Sequence, residues 1–268
     1  MIRAHLATFP PRSEILMRTV ESILPQVDLL CVCLNGYDRV PAELADHDKI
    51  RASIPEMDLK DAGKFAFPVA SDDIVFTIDD DILYPPDYVA ETVRVFDRLD
   101  PSANVLGHLG NAWVVKRATG RHGWRTYRFN RQVPQITKVD VVGTGTACQI
   151  GRLLPPLDAM VTSAGFVDLR HARLHHNAGH SLWVVPHADD AIRSTMSDAL
   201  RESSLFNTHT RSRHPDMLAE LGLLMRTFTP FSGMKLETVL REREKSRATG
   251  KSDFGLEVSP EILSGIPG

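Results

Sequence analysis

The segment Asp73–Tyr88, with the sequence DIVFTIDDDILYPPDY, restricts the fold more than any other part of this chain. A β-rich apolar run ends abruptly at Asp79, Asp80 and Asp81, and two prolines then open a segment with apolar residues at helical spacing. A buried strand that leads into a helix is typical of open α/β sheets, which bind ligands at the carboxyl ends of their strands. The sequence therefore predicts that the three carboxylates lie at the ligand-binding edge of such a sheet.

The three adjacent aspartates also indicate a metal site. Neighbouring carboxylates repel one another, so they are costly to bring together unless a cation lies among them. Alternate side chains of an extended segment point the same way, so Asp79 and Asp81 can share one metal ion while Asp80 faces elsewhere. An isolated run of three aspartates is equally compatible with a solvated acidic turn, but the preceding strand and the following helix favour the metal site.

The composition excludes several classes of protein. The chain has 268 residues, enough for one large α/β domain with an appendage. Its net charge is −3 with acids and bases interspersed, so we expect no nucleic-acid partner. No apolar run approaches the roughly 20 residues that span a bilayer, and the N-terminus has no secretory apolar region. We expect a cytoplasmic protein, and a peripheral position at the inner face of the membrane stays open.

The order of the predicted elements indicates a mainly parallel sheet flanked by helices. Three apolar runs are typical of strands, at residues 3–8, 29–34 and 74–78. A helix is predicted at residues 13–24, and this alternation implies parallel strands with right-handed crossovers. The arrangement places Thr8, Asn35 and Asp79 at one edge of the sheet.

Later segments carry weaker patterns. Residues 107–131 are rich in arginine, histidine, glycine and aromatic residues and favour strands. In the strand-like segment 139–150, Gly143 and Gly145 allow a close backbone approach to a ligand or to another segment, although a simple bulge fits equally well. Residues 166–178 predict a helix that Gly179 ends in the left-handed conformation.

We expect an α/β domain at residues 1–203 and a C-terminal helical arm at residues 204–268. Residues 217–225 are largely apolar, whereas residues 241–252 are densely charged. The arm is therefore expected to pack on the core or on a partner and to have a mobile end, and a homo-oligomer is compatible with it.

Five sequence blocks, in this order, resemble the GT-A glycosyltransferases, especially the family 2-like enzymes that build bacterial capsules and other surface glycans. The blocks lie within residues 2–190 and read LATFPPRSEILMRTVESILPQVD, DAGKF, FTIDDDILYPPDYV, VVGTGTA and GFVDLRHARLHHNAGHSLWVVPH. The resemblance implies a GT-A fold, which is a Rossmann-like α/β fold. It also implies metal-dependent, inverting transfer of a sugar from a nucleotide-sugar donor to a glycan or lipid-linked acceptor.

The resemblance assigns roles to residues at the sheet edge. It implies Mn²⁺ or Mg²⁺ on Asp79 and Asp81, with UDP as the default nucleotide because UDP is common in the family. A departing nucleoside diphosphate gains negative charge, which a hard cation held by carboxylates neutralises. The residues implied to contact the donor are Thr8, Pro10, Arg12, Asn35, Asp61, Lys64, Asp79 and Asp80.

An inverting transferase also needs a base to deprotonate the acceptor hydroxyl. In the resembling family this is an aspartate near the start of a late helix, and VDLRHA places Asp168 there. The sequence departs from the family pattern, because Arg170 and His171 stand where an aromatic residue is usual. Asp158 is the second candidate, and Asp168 is also explained as a charge that favours the helix dipole.

Histidines supply further candidates. His187 follows a late strand, where several GT-A enzymes carry an additional metal ligand, although a lone histidine there is more often a hydrogen-bonded surface residue. His171 and His175, like His176 and His180, are four residues apart, as zinc ligands on a helix are. No third ligand is visible, so we expect these four on a solvated helix surface.

Other classes of function stay open. Phosphatases of the haloacid-dehalogenase kind also end a strand in paired aspartates, but the threonine of their DxDxT motif is missing here. A nucleotidyltransferase of related fold would need a glycine-rich pyrophosphate loop near the N-terminus, which is also missing. A non-catalytic nucleotide-sugar-binding scaffold would use the C-terminal arm for interaction, but the intact Asp79, Asp81 and Asp168 argue against it.

Overall fold

A computed structural model describes residues 1–115, 120–197, 214–228 and 230–248. The strands are β1 (Ile2–Thr8), β2 (Leu29–Leu34), β3 (Ile50–Ser53), β4 (Ile74–Asp79), β5 (Ile82–Leu83), β6 (Asn104–Gly107), β7 (Gly110–Val115), β8 (His122–Tyr127), β9 (Thr137–Val139), β10 (Val141–Val142), β11 (Thr146–Ile150), β12 (Ser181–Val184) and β13 (Arg193–Ser194). The α-helices are α1 (Ser13–Ile23), α2 (Ala42–Ala45), α3 (Tyr88–Arg94), α4 (Leu157–Met160), α5 (Val167–Asn177), α6 (Pro215–Met225) and α7 (Leu236–Ala248). The domain boundary expected at residues 203 and 204 and the arm beyond residue 248 lie outside the described residues.

The central sheet is mainly parallel, as predicted. Among the described residues, eight strands lie in the order β3-β2-β1-β4-β11-β6-β12-β9. The first four are parallel to one another. Strand β11 is antiparallel to both β4 and β6, so β6 and β12 run in the same direction as β4. The protein is therefore a Rossmann-like α/β protein with helices flanking the sheet.

Helix α1 packs on this sheet because its apolar residues recur at helical spacing. Leu16, Val20 and Ile23 are buried in one cluster with Leu6 of β1 and Phe76 of β4. Fully burying a side chain of this size contributes about 1.5–3 kcal/mol. The packing of α1 therefore fixes the β1–α1 connection beside the end of β4.

The pairing register aligns the ends of the parallel strands. Thr8 lies opposite Leu34, and Ala7 lies opposite Asp79. Asn35 follows Leu34 directly, so Thr8, Asn35 and Asp79 meet at one edge of the sheet, as the element order predicted.

The weaker sequence patterns also gave the correct elements. The region predicted to hold strands contains β7 and β8, which form a three-stranded antiparallel sheet with β10 in the order β10-β7-β8. Helix α5 ends before Gly179, whose φ of 79° is in the left-handed region, as predicted.

The described part of the C-terminal region is helical and packs on the core. Helix α6 buries Leu224 and Met225, and α7 buries Leu236 and Val239. The backbone N–H of Leu236 donates to the carbonyl oxygen of Ile136 at 2.9 Å, which joins this region to the main domain. In the described ranges, no helix is long and apolar enough to cross a membrane.

Candidate active site

A cavity of about 850 Å³ opens at the carboxyl edge of the parallel strands. Its walls come from the ends of β1, β2 and β4, from residues 58–64, from the three-stranded sheet, and from α5 and α6. Every residue predicted to contact a donor lines it: Thr8, Pro10, Arg12, Asn35, Asp61, Lys64, Asp79 and Asp80. Asp81 and Asp168 line it too, so the structure gathers all the predicted site residues except His187.

Asp79 ends β4 and forms an ion pair with the buried side chain of Lys64. Burial alone would lower the pKa of Lys64, but the charge of Asp79, with smaller contributions from Asp168 and Asp61, raises it overall. On the other side of Asp79, a Cβ atom built on Gly145 would lie 2.0 Å from Asp79 Oδ2. The glycine therefore lets the backbone pass directly against the carboxylate.

Tyr84 holds this arrangement together. Its buried hydroxyl accepts a hydrogen bond from the Asp79 N–H at 3.0 Å and donates one to the Gly145 carbonyl oxygen at 2.7 Å. The sequence analysis did not identify Tyr84, although it lies within the aspartate segment. Its role depends on the pairing of β4 with β11, which brings Gly145 near Asp79.

Asp80 and Asp81 differ in how closely a cationic side chain approaches their carboxylates. Asp80 forms an ion pair with Arg12, and both side chains are largely buried. Burial raises the pKa of Asp80, and Arg12 opposes that rise. Asp81 Oδ2 lies 3.9 Å from the nearest nitrogen of Arg12. Burial and then the charge of Asp79 raise the pKa of Asp81 to about 7, so this carboxyl group is costly to ionise in the free protein.

The charged side chains that line the cavity suit a divalent cation that is shared with a substrate. Six aspartates and three basic side chains line the cavity, so ionised groups leave an excess of negative charge that a cation would relieve. No three histidine, cysteine, aspartate or glutamate side chains of the described residues are placed to hold a metal ion by themselves. Magnesium is usually held by one or two carboxylates together with substrate phosphates. Asp79 and Asp81 are the residues of this cluster that could hold such a cation.

His187 does not reach the cavity. Its Nδ1 lies 2.9 Å from the carbonyl oxygen of Val185, and its Nε2 lies 3.2 Å from that of Arg128. Its ring packs on His108, with 5.2 Å between the ring centroids. Both ring nitrogens thus face backbone carbonyl groups, and the structure does not support the predicted role of His187 as a metal ligand.

Asp168 lies in the first turn of α5 and is held by Thr144. Its Oδ1 accepts hydrogen bonds from the Thr144 N–H at 2.8 Å and from the Thr144 hydroxyl at 2.7 Å. Burial raises the pKa of Asp168, and the bonds from Thr144 oppose that rise. A carboxylate with a raised pKa accepts a proton near neutral pH more readily than an ordinary one. The alternative base, Asp158, is exposed and lies outside the cavity.

Asn35 and Asp61 shape the cavity through backbone contacts. The Asn35 side chain accepts a hydrogen bond from the Leu59 N–H at 2.9 Å and donates one to the Lys60 carbonyl oxygen at 3.0 Å. Asp61 accepts a hydrogen bond from the Gly165 N–H at 2.6 Å, and burial raises the pKa of Asp61 to about 6. These bonds position the turn before Asp61 and the segment that leads into α5.

His171, His175 and His176 of α5 are buried, so the prediction of a solvated helix surface was wrong for these three, whereas His180 follows the helix and is partly exposed. His171 Nε2 lies 3.0 Å from Gln149 Oε1 and 3.1 Å from His175 Nε2, and His176 Nε2 lies 2.7 Å from the carbonyl oxygen of Asp140. Burial lowers the pKa of His171 to about 3 and that of His176 to about 4, so both are neutral. Gln149 and Asp140 lie more than 20 residues away in the chain from the histidines that they contact, and local spacing does not reveal such partners.

Sequence analysis did not single out the apolar wall of the cavity. This wall is formed by Leu109, Trp124, Val141, Phe166, Leu169, Met217 and Leu221. Trp124 lies in the aromatic-rich segment, and Met217 and Leu221 lie in the helix that was assigned to the C-terminal arm. Their apolar character was visible in the sequence, but the cavity that they face is created by tertiary packing.

Comparisons with known proteins do not place the chain in a family. No protein-family model matches it, and no curated protein matches it. Among solved structures it is similar to a 2-C-methyl-D-erythritol 4-phosphate cytidylyltransferase of Francisella tularensis, with a TM-score of 0.44 and 12% identity over 75% of this chain and 97% of that chain. A 4-diphosphocytidyl-2C-methyl-D-erythritol synthase gives a TM-score of 0.44 and 11% identity over 77% of this chain and 98% of that chain. These similarities are too weak to support a function, which must be inferred from the residues of the cavity.

Proposed function

We propose that the protein is a metal-dependent, inverting glycosyltransferase of the GT-A type, which moves a sugar from a nucleotide-sugar donor to an acceptor hydroxyl. The observation that carries this proposal is that one cavity holds both the carboxylate cluster at Asp79–Asp81 and a separate carboxylate at Asp168. The cluster suits a diphosphate with its cation, and the separate carboxylate suits a general base. The proposed cation is Mn²⁺ or Mg²⁺, and the proposed nucleotide is UDP.

On the donor side, Asp79 and Asp81 are the residues that would hold the cation. When bound, the cation neutralises charge on the departing diphosphate. Lys64 forms an ion pair with Asp79, and Arg12 forms one with Asp80, so two of the three carboxyl groups have a cationic side chain beside them. The nucleoside would lie along the wall formed by Thr8, Pro10, Asn35 and Asp61.

On the acceptor side, Asp168 takes the proton from the acceptor hydroxyl while the hydroxyl oxygen attacks the anomeric carbon. The bond from that carbon to the diphosphate breaks in the same step, so a single displacement inverts the configuration. Thr144 occupies Oδ1 of Asp168, which leaves Oδ2 for the acceptor hydroxyl. The position at the start of α5 stabilises the ionised base, because the helix dipole favours negative charge there.

The connection between β1 and α1 argues against nucleotidyl transfer. It contains Pro10 and Pro11, which have no backbone N–H to offer to a pyrophosphate. The side chain of Arg12 is already paired with Asp80. A pyrophosphate-binding loop relies on free N–H groups at a helix N-terminus, and here two of them are missing.

The proposal predicts a selective, metal-dependent rise in melting temperature. UDP-, GDP-, CMP- and dTDP-linked sugars, each with and without Mn²⁺, are compared by thermal shift. A ligand at 100 times its Kd stabilises the folded state by about 2.7 kcal/mol, which is several degrees for a chain of this size. If the protein is folded and no nucleotide-sugar changes its melting temperature, the proposal is contradicted. Release of free sugar from the matching donor by the purified chain separates an enzyme from a scaffold.

Gly145→Ala is expected to weaken Mn²⁺-dependent UDP binding at least tenfold, because the new Cβ would displace the carboxylate of Asp79. Gly222→Ala is the matched control, since a Cβ there meets no atom within 4 Å. Isothermal titration of both variants with UDP and Mn²⁺ measures the effect. Unchanged affinity in Gly145→Ala would show that Asp79 does not contribute to the donor site.

A further inference from the structure

Helix α6 is held against α5 by two ion pairs that share a buried glutamate and have partly exposed arginines. Glu220 is 4% exposed and lies 2.9 Å from Arg170 Nε and 2.5 Å from Arg173 Nε, both on α5. Leu224, one turn further along α6, is fully buried. Leaving the buried Glu220 without its cationic partners would be destabilising, so these contacts and the burial of Leu224 fix the position of α6.

The neighbouring face of α6 lines the cavity. Met217 and Leu221 are four residues apart, so they lie on the same side of the helix, and both line the cavity. Leu218 and Leu223 lie on the same helix, are 42% and 45% exposed, and do not line the cavity. The ion pairs to α5 therefore orient two apolar side chains towards the site.

These side chains continue into a larger apolar surface. Trp124 and Leu169 belong to one hydrophobic cluster with Val141 and Leu224. The polar side chains of Asn111 and Thr126 also line the cavity, but the Thr126 hydroxyl donates to Asn111 Oδ1 at 2.7 Å. Their hydrogen bond to each other reduces the polarity that this part of the wall offers to a ligand.

The charged lining comes from a different part of the chain. Among the described lining residues, every charged side chain is Arg12, Asp168 or a member of residues 58–64 and 79–81. Asp168 lies between the two parts, since Phe166 and Leu169 on either side of it also line the cavity. The cavity is thus divided into a charged part and an apolar part, with the candidate base at the boundary.

We propose that the apolar part is an acceptor subsite that takes the aliphatic chain of a lipid-linked acceptor. This assignment rests on the proposed transfer reaction, in which the acceptor hydroxyl lies at Asp168. A glycan without a lipid would place hydroxyl groups against a wall that offers them few hydrogen-bond partners, which is costly. An aliphatic chain gains by burial on the same wall, which is formed mainly by leucine, methionine and valine side chains.

The test compares uncharged glucosides that differ only in their aglycone. Octyl β-D-glucopyranoside, below its micelle concentration, is expected to bind at least tenfold more tightly than methyl β-D-glucopyranoside. Tenfold corresponds to the burial of about two methylene groups. Isothermal titration measures both affinities in the presence of UDP and Mn²⁺. Equal affinities, or tighter binding of p-nitrophenyl β-D-glucopyranoside than of the octyl compound, would overturn the assignment to an aliphatic chain.

Two leucines of α6 provide matched variants. Leu221→Gln is expected to lose most of the preference for the octyl compound, whereas Leu223→Gln on the exposed face should keep it. Leu221→Phe narrows the subsite without adding polarity and should also weaken octyl binding, which keeps the test decisive if Leu221→Gln fails to fold. A folded Leu221 variant that binds octyl β-D-glucopyranoside as tightly as the wild type would overturn the assignment of the subsite.

UDP and Mn²⁺ binding, measured separately, distinguishes the two proposals. Donor binding with no octyl preference would leave the transferase proposal intact and remove the acceptor subsite. An octyl preference without binding of any nucleotide would show a site for an aliphatic chain but overturn the transferase proposal, and with it the role of that site in binding an acceptor.

Discussion

Asp168→Asn is expected to lower the rate of sugar transfer by about 10²- to 10⁴-fold, the usual contribution of a general base. Asparagine keeps an oxygen that can accept the two hydrogen bonds from Thr144, so the position of the side chain should be preserved. Only the ability to take the proton is lost. Donor affinity should therefore stay unchanged, and initial rates together with isothermal titration of UDP and Mn²⁺ measure the two effects.

Asp158→Asn is the matched control for the loss of a carboxylate. Asp158 is exposed, lies outside the cavity and accepts a hydrogen bond from the Ala159 N–H at 2.8 Å. This variant should keep the wild-type transfer rate. Full activity in Asp168→Asn would show that the mechanism is wrong even if the donor site is right. Loss of activity in Asp158→Asn would instead indicate that Asp158 is the general base.

Asp81→Asn is expected to abolish Mn²⁺-dependent donor binding and, at the same time, to stabilise the protein at pH 8 in the absence of ligand. Burial raises the pKa of Asp81 to about 7 from an ordinary value of 3.8. The folded state therefore binds this proton more tightly than the unfolded state, and the resulting stability is lost as the pH rises through 7. At pH 8 the free energy of unfolding should be about 2 to 4 kcal/mol higher in the variant.

The stability gained in Asp81→Asn should shrink as the pH falls from 8 towards 4. Over this range the wild-type Asp81 carboxyl group becomes protonated in the folded state, so it is then neutral like asparagine. Urea unfolding at several pH values, with a chelator present, gives this dependence. Asp72→Asn removes a carboxylate whose side chain is 93% exposed and should change stability little at any pH. A variant that binds UDP and Mn²⁺ like the wild type would exclude Asp81 as a metal ligand. An unchanged stability at pH 8 would mean that the charge of Asp81 is compensated in the free protein.

The sequence by itself determined the main elements and the edge of the sheet at which the candidate site lies. The apolar run before Asp79, the helical spacing of residues 13–23 and the glycine at position 179 each produce a local structure through local forces. Alternation of strand and helix then requires parallel strands, whose carboxyl ends meet. Thr8, Asn35 and the three aspartates could be placed together on these grounds alone.

Only the tertiary structure decided which side chains pair and which faces are covered. Lys64 and Asp79 are 15 residues apart, Thr144 and Asp168 are 24 apart, and Arg12 and Asp80 are 68 apart. No periodic pattern encodes such pairs, because each depends on how two separate segments cross. The same reason explains why His187 faces backbone carbonyl groups, why the histidines of α5 are buried, and why α6 became a wall of the cavity. Burial and partner choice are properties of the packed chain, whereas strand and helix formation depend largely on neighbouring residues.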